Sequence, residues 1–317
     1  MFTRWIIVLL VLTASCSSTK KPTTAAKKDT GPAIENALLW SVTGKGLPAP
    51  SYVYGTIHMI CKEDFLFSNT LKEKLSESKS IYLEIDMDDP TMIIKLTTLA
   101  MMKDKSLKDL MSSADYELVS KYVKDSLGMP MMMINKMKPI GLMSLLYSRM
   151  LPCSSNESYE QKFLEIAKAS KKEVEGLETI EAQMAVFDKI PDSLEAKMIL
   201  DMIRTMPEQR KQLMQMVESY KKEDLSRLSD QMSESPEWKG FEDILLVNRN
   251  RSWIPIMESA MKQSSQMFAV GAGHLPGKEG VINLLREAGY TVTPIKQSFG
   301  ELANWRISGL ADYLTIR

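Results

Sequence analysis

Two short stretches of the chain follow the same design, and together they restrict the fold more than any other feature. Tyr52-Val-Tyr-Gly55-Thr-Ile-His58 and Phe268-Ala-Val-Gly271-Ala-Gly-His274 each run through apolar, β-favouring residues to a glycine and reach a histidine three positions later. They hold the only two histidines among 317 residues. A glycine at the end of a strand, having no Cβ, lets the backbone turn sharply or approach a ligand closely. Each histidine then stands just past the C-terminal edge of its strand, where open α/β sheets bind their ligands. One histidine near a strand end is ordinarily a loop or core residue. Two matched motifs that use the whole histidine supply point instead to one shared site.

A fold that brings positions 58 and 274 together needs a sizeable core, and a chain that is 44% hydrophobic and 25% charged supplies it in one domain. Forty Lys and Arg offset forty Asp and Glu. Without a net positive field, nucleic acid is set aside as a partner. At the start, Arg4 precedes the apolar run Trp5 to Leu12 and then Thr13-Ala-Ser-Cys16, a signal peptide over 1–15 that is too short to span a bilayer. The small residues before Cys16 resemble a bacterial lipoprotein processing site. That predicts a lipid on Cys16, membrane attachment, and a cell-envelope location in the periplasm or at the outer membrane. Residues 16–34 are rich in Ser, Thr, Lys, Ala and Pro and read as a flexible tether, leaving 35–317 as the folded domain. In an exported protein the remaining Cys61 and Cys153 either pair as a disulfide bracing the His58 region or stay as two buried thiols.

Within the domain, Ala37 to Val42 and Ser51 to Tyr54 read as strands joined by a Gly/Pro-rich turn over Gly44 to Pro50. Ser80 to Asp86 is a third, alternating Ile81, Leu83 and Ile85 with Tyr82, Glu84 and Asp86. Acidic residues are unusual on so apolar a strand, unless it is a solvated edge strand. Helical patterns dominate from Asp89 to about Met150, a region rich in the chain's 24 methionines, which suit core filling or an apolar binding face. Lys172 to Leu177 is a short strand that delivers Glu178 ahead of a helix beginning near Thr179, and 180–235 reads as mostly helical. The helix expected over Asp243 to Met261 carries one stripe of Leu246, Asn250, Trp253 and Met257. Its neighbouring stripe is Leu245, Arg249, Ser252, Ile256 and Ala260. Arg249 and Asn250 interrupt this apolar face, so Arg249 is expected to pair with an internal carboxylate, Glu84 or Glu178, or with an anionic substrate group. After His274 come a helix over Gly277 to Ala288, a Gly289 cap and a strand over Tyr290 to Ile295.

The ordered set Tyr54-Gly-Thr-Ile-His58, Gly176-Leu-Glu-Thr179, Arg249-Asn250, Val270-Gly-Ala-Gly-His-Leu-Pro-Gly277 and Gly289-Tyr-Thr-Val-Thr-Pro294 resembles the TraB/GumN family, to which the Tiki proteins belong. The resemblance implies an α/β fold with a central mixed β-sheet, many surrounding helices and a Met-rich helical middle region, similar to the erythromycin-esterase and ChaN-like groups. It also implies a divalent-metal-dependent protease, the ion being Mn, Co or Zn, acting on a peptide or protein. Carried over by position, His58 and His274 are metal ligands with Glu84 or Glu178 as carboxylate partner. Glu84, Glu178, Arg249 and Asn250 form the catalytic set, and Gly55, Gly271 and Gly273 are cofactor-binding positions.

The chemistry of the residues allows this. Two neutral imidazoles and a carboxylate leave an open position on a metal, where bound water becomes acidic enough to act near neutral pH. A Ser-His-Asp triad would leave one histidine unexplained, and the chain contains neither Gly-x-Ser-x-Gly nor His-Glu-x-x-His. The alternative from another class is a non-catalytic envelope lipoprotein that binds an apolar peptide or glycan through the Met-rich helical face.

Overall fold

The computed structural model describes residues 34–234 and 240–298, so the signal segment, Cys16 and nearly all of the tether lie outside the described residues. Eight strands form: β1 Leu39–Thr43, β2 Ser51–Thr56, β3 Ile60–Cys61, β4 Ser80–Ile85, β5 Asn156–Glu157, β6 Val174–Glu178, β7 Gln266–Gly271 and β8 Thr291–Pro294. The helices are α1 Asn69–Glu77, α2 Met92–Leu99, α3 Ser113–Leu127, α4 Met131–Ile134, α5 Pro139–Tyr147 and α6 Tyr159–Ser170 in the first half. The second half adds α7 Ile180–Phe187, α8 Asp192–Arg204, α9 Met206–Lys221, α10 Leu225–Glu234, α11 Asn248–Met261 and α12 Val281–Glu287.

Six strands make one mixed sheet in the order β6-β4-β7-β2-β1-β8. β6, β4, β7 and β2 run parallel, whereas β1 pairs antiparallel with both β2 and β8. All six residues of β2 are buried, as expected of an interior strand covered on both faces. The turn from β1 to β2 takes three successive left-handed residues, Gly44, Lys45 and Gly46, with φ of 96°, 48° and 72°. Two glycines there remove most of the steric cost. The strand, Gly-His loop, helix, strand unit at the C-terminal end crosses over β2 and β1 before β8 joins the far edge.

Two apolar clusters hold the fold. Trp40, Tyr54, Phe163, Trp253 and Phe268 belong to the cluster around the sheet. The other lies among the helices of the Met-rich middle, where Met131, Met143, Met150 and Met202 pack with Leu107, Val123 and Ile199. These methionines act as flexible core filling. Burying each such side chain contributes about 1.5–3 kcal/mol before conformational entropy is subtracted. Cys61 and Cys153 form a disulfide with a Cα–Cα distance of 5.7 Å, at the point where β3 pairs with β5.

Local corrections to the sequence reading concern ends of elements. Glu178 is the last residue of β6, opposite Ile85, rather than one step beyond it. The helix expected from Gly277 begins at Val281, because Gly277 has φ of 90° and cannot join an α-helix. Over Asp243–Val247 the chain is a π-helix, and only from Asn248 is it α-helical. Trp253, Ile254, Met257, Ala260 and Met261 face inward, while Ser252 and Ile256, expected on the apolar stripe, are exposed.

Candidate active site

Because β6, β4, β7 and β2 are parallel neighbours, their C-terminal ends line one edge of the sheet. Along that edge, in sheet order, stand Glu178, Glu84, His274 and His58, the first two at the ends of their strands and the histidines on the loops beyond theirs. β4 is interior, so Glu84 is not the solvated edge residue that its strand alone allows. The parallel topology thus gathers residues up to 216 positions apart in the chain.

Arg249, on the first turn of α11, reaches this edge from above. Its Nη2 donates to Glu84 Oε2 at 2.7 Å and Glu178 Oε1 at 2.5 Å, and Nε donates to Glu178 Oε1 at 2.9 Å. Nη1 donates to the Leu245 carbonyl at 3.1 Å, inside the π segment. The guanidinium also lies over the Trp253 ring, 4.9 Å from its centroid. With side-chain exposures of 10%, 12% and 8%, Arg249, Glu84 and Glu178 form a buried triad in which two carboxyl groups share one cation. Gln183 on α7 donates to both carboxylates, at 3.2 and 3.1 Å, and the Gly271 N–H donates to Glu84 Oε1 at 2.9 Å. Burial pushes the Glu84 carboxyl up, but His274, Arg249, His58 and the Gly271 N–H outweigh it and hold its pKa at about 2.

The tautomer of His274 follows from its partners. Asn250 Nδ2 donates to the Glu279 carbonyl at 2.7 Å, so its Oδ1 is the atom facing His274 Nδ1 at 2.6 Å, and Nδ1 carries the proton. On the other side Arg249 Nη1, a donor only, lies 3.2 Å from Nε2, which therefore presents its lone pair. Burial lowers the His274 pKa to about 4, with Arg249 and His58 adding to the shift and Glu84 opposing it. His274 is a neutral imidazole, fixed by an amide, its ring tilted at 44° against Trp253 with centroids 4.6 Å apart, and with Nε2 3.7 Å from Glu84 Oε1.

His58 is placed differently. Its side chain is 71% exposed and its Nδ1 lies 3.1 Å from Glu160 Oε1. The Glu160 carboxylate beside it raises the His58 pKa to about 9. His58, Glu84, Arg249 and His274 are near enough for each to move the titration of its neighbours.

The donor set suits a divalent ion: an oriented neutral imidazole, two carboxyl groups sharing one cation, and a second imidazole beside them. His58, His274 and Glu84 are nevertheless not drawn together to ligand spacing. Arg249 Nη1 sits on the His274 lone pair, and His58 is turned to Glu160. Among the described residues only Cys61, Glu63 and Cys153 bring three donor atoms within 4.8 Å of one another. That group is no ion site, because both of its sulfurs are spent in the disulfide.

The three motif glycines permit close packing around the site. A Cβ on Gly55 would lie 2.8 Å from Leu275 Cδ1 and 3.1 Å from Ala272 Cα, so its absence lets the 272–274 turn close onto β2. Gly273 makes room for Met232 of α10, and Gly271 brings its N–H onto Glu84. Sequence reasoning missed Glu160 and Gln183. The acidic residue beside the Ser158-x-x-Gln161 cap was the available signal for the first; the second has none.

An interior parallel edge carrying an Arg-bridged carboxylate pair and two histidines defines the class of protein. The TraB/PrgY/gumN family profile matches residues 38–294, and the chain belongs to that family. It is similar to Metalloprotease TIKI1 of Danio rerio, 24% identical over 341 residues, covering 87% of this chain and 67% of the relative. It is also similar to Metalloprotease TIKI2 of the same organism, 26% identical over 125 residues, covering 38% of this chain and 24% of the relative. The chain thus spans about a quarter of one relative and two thirds of the other. No solved structure matches.

Proposed function

We propose that the protein is a metal-dependent hydrolase, a peptidase in its most specific form, with His58, His274 and Glu84 holding one divalent ion, Mn, Co or Zn. The observation that carries this reading is His274: a buried neutral imidazole with its proton committed to Asn250 and its Nε2 lone pair, beside Glu84, accepting from Arg249 Nη1. A ring fixed through Nδ1 by a side-chain acceptor is the usual support of a metal-bound histidine. The names of the two similar metalloproteases support the same class.

A bound divalent ion would supply Lewis acidity to a carbonyl and an acidified water. The chain supplies the rest. Asn250 keeps the His274 tautomer, Arg249 and Gln183 bridge and orient Glu84 and Glu178, and Trp253 packs against His274 and the Arg249 guanidinium. His274 Nε2 has one lone pair, so Arg249 Nη1 must give up its contact when His274 takes an ion.

The test uses the purified folded domain. Metal content after mild purification and after dialysis against Mn, Co or Zn is measured alongside hydrolysis of a peptide library, for the wild type and for His58→Ala and His274→Ala. Metal retention and hydrolysis that fall together in both variants support the proposal; a wild type that neither binds metal nor cleaves peptides sinks it. A binding function without chemistry is favoured by one feature. Ile93, Ile94, Met132 and Met133 are 79%, 71%, 85% and 64% exposed, and the segments after α2 and α4 are bridged at Met101 and Met137. Peptide binding without turnover would select that reading. We further propose that Cys16 carries a lipid and holds the domain at an envelope membrane; release of Cys16→Ser from the membrane fraction is the expected result.

A further inference from the structure

We propose that Glu160 is the positioning residue of His58, fixing the ring through Nδ1 so that Nε2 is the nitrogen presented to the site. The consequence for metal binding rests on the proposed function; the orientation itself does not.

Glu160 stands in the first turn of α6, and neither carboxylate oxygen is free to drift. Oε1 accepts from Thr56 Oγ1 at 2.7 Å and Oε2 accepts from Ser158 Oγ at 2.7 Å. Thr56 is the buried last residue of β2, and Ser158 is the N-cap of α6. The carboxylate is therefore pinned from two separate elements, and what remains of Oε1 faces His58 Nδ1 at 3.1 Å. A second set of contacts fixes the two elements to each other. Just past His58, Ile60 and Cys61 pair with Glu157 and Asn156, and the Cys61–Cys153 disulfide ties the same two segments covalently. The loop that bears His58 and the approach to α6 thus move as one piece.

Stability alone does not account for this construction. An ion pair with one exposed partner contributes little, because water and salt screen it, and the His58 side chain is 71% exposed while that of Glu160 is only 12% exposed. A buried carboxylate held by two hydroxyls to serve one exposed imidazole orients that imidazole. The pattern repeats the arrangement at His274, where Asn250 Oδ1 takes the Nδ1 proton and leaves Nε2 toward Glu84. Both histidines are held by their Nδ1 edge, one by an amide and the other by a carboxylate. A carboxylate behind a histidine is a recognised support for a metal ligand and increases its basicity.

Because the chain has only two histidines, its imidazole nitrogens can be followed one by one. Long-range proton–nitrogen spectra of the metal-free, nitrogen-15-labelled protein at pH 10, with His274→Ala for assignment, report the tautomer of His58. The wild type is expected in the Nδ1–H form. Glu160→Ala is expected to revert to the Nε2–H form that an unrestrained histidine favours, and Glu160→Gln, which keeps an acceptor oxygen, to retain Nδ1–H. Chelator competition with Mn, Co and Zn should show Glu160→Ala weakened roughly 10–100-fold, with Glu160→Gln recovering most of the loss. If Glu160→Ala does not fold, Thr56→Val removes one of the two hydroxyls and should mix the tautomers. An unchanged His58 tautomer in Glu160→Ala overturns the proposal, and a changed tautomer with wild-type metal affinity overturns its consequence for metal binding. A wild type that binds no metal overturns the proposed function, and the tautomer still decides the role of Glu160.

Discussion

Replacing Arg249 by leucine tests the central electrostatic argument, because the side chain is the only cation bonded to Glu84 and Glu178 among the described residues. The variant keeps apolar volume beside Trp253 but leaves two carboxyl groups buried together. Removing one partner of a buried ion pair costs about 3–5 kcal/mol. The Glu84 pKa of about 2 is held there by His274, Arg249, His58 and the Gly271 N–H together, so Arg249 accounts for part of that shift. For a domain of this size each kcal/mol moves Tm by about 2–4 °C, so a fall of roughly 6–20 °C is expected at pH 7.5. The pH dependence carries the sharper test. In the wild type the Glu84 contribution is fully present above its unfolded pKa of 4.5 and is lost as pH falls toward about 2. In Arg249→Leu the Glu84 carboxyl loses one of the groups that oppose burial and its pKa rises, so the penalty grows with pH and disappears as the carboxyl is protonated. Thermal melts by circular dichroism at pH 7.5 and pH 4.5 should therefore show the gap between the proteins narrowing as pH falls. Adding Glu84→Gln to Arg249→Leu should recover part of the loss at pH 7.5. A Tm at pH 7.5 within about 2 °C of the wild type, or a gap that does not change with pH, would refute the reasoning.

The Cys61–Cys153 bridge closes a loop of 92 residues, worth about 4–5 kcal/mol in the chain-entropy model; Cys61→Ser with Cys153→Ser should lower Tm by roughly 10 °C or more, read by calorimetry. Glu195 is buried at 4% exposure with Oε1 unpartnered, and burial, then Asp192 and Asp188, raise its pKa to about 8. An acid raised in the folded state costs nothing below its unfolded pKa and progressively more as pH rises to the folded one, so Glu195→Gln should stabilise the protein at pH 8.5 by several degrees and leave pH 4.5 melts nearly unchanged. Gly55→Ala places a methyl 2.8 Å from Leu275 and 3.1 Å from the Ala272 backbone, an overpacking expected to cost about 1–3 kcal/mol in urea unfolding. Gly273→Ala, which meets only the flexible end of Met232, should cost less.

What was legible in the sequence was legible for local reasons. An apolar β-run into Gly-x-x-His needs no long-range information to read as a strand and a loop, and the parallel pairing of β2 with β7 converts two local patterns into one edge. Arg249 betrayed itself by interrupting an apolar face, and a buried guanidinium must find carboxylates. Its two partners, both proposed as alternatives, bind it together. Other features had no local trace. The two motif glycines are not opposite each other: Gly55 pairs with Val270 and Thr56 with Gly271, an offset the two local patterns do not announce. Glu160 looked like one more acidic residue in a helix first turn, where the dipole favours it; its role depends on a histidine 102 residues away. The π turn falls at Asp243–Val247, a segment with no glycine or proline to announce it.

Twin motifs thus end in opposite chemical states, and the sheet order explains why. β7 lies between two parallel strands, so the loop after it is walled by the ends of β4 and β2, with Glu84 beside it and α10 and α11 packed over the turn. An imidazole in such a place loses its water and becomes neutral, as His274 does. β2 has a parallel neighbour on one side only; on the other, β1 runs antiparallel and presents its beginning, not a loop carrying a functional group, at that edge. The loop after β2 is consequently open, His58 keeps its solvent, and a carboxylate from α6 supplies the restraint that burial does not. On the proposed function, His274 is the fixed member of the pair, and the His58 side is where the site opens to what it binds.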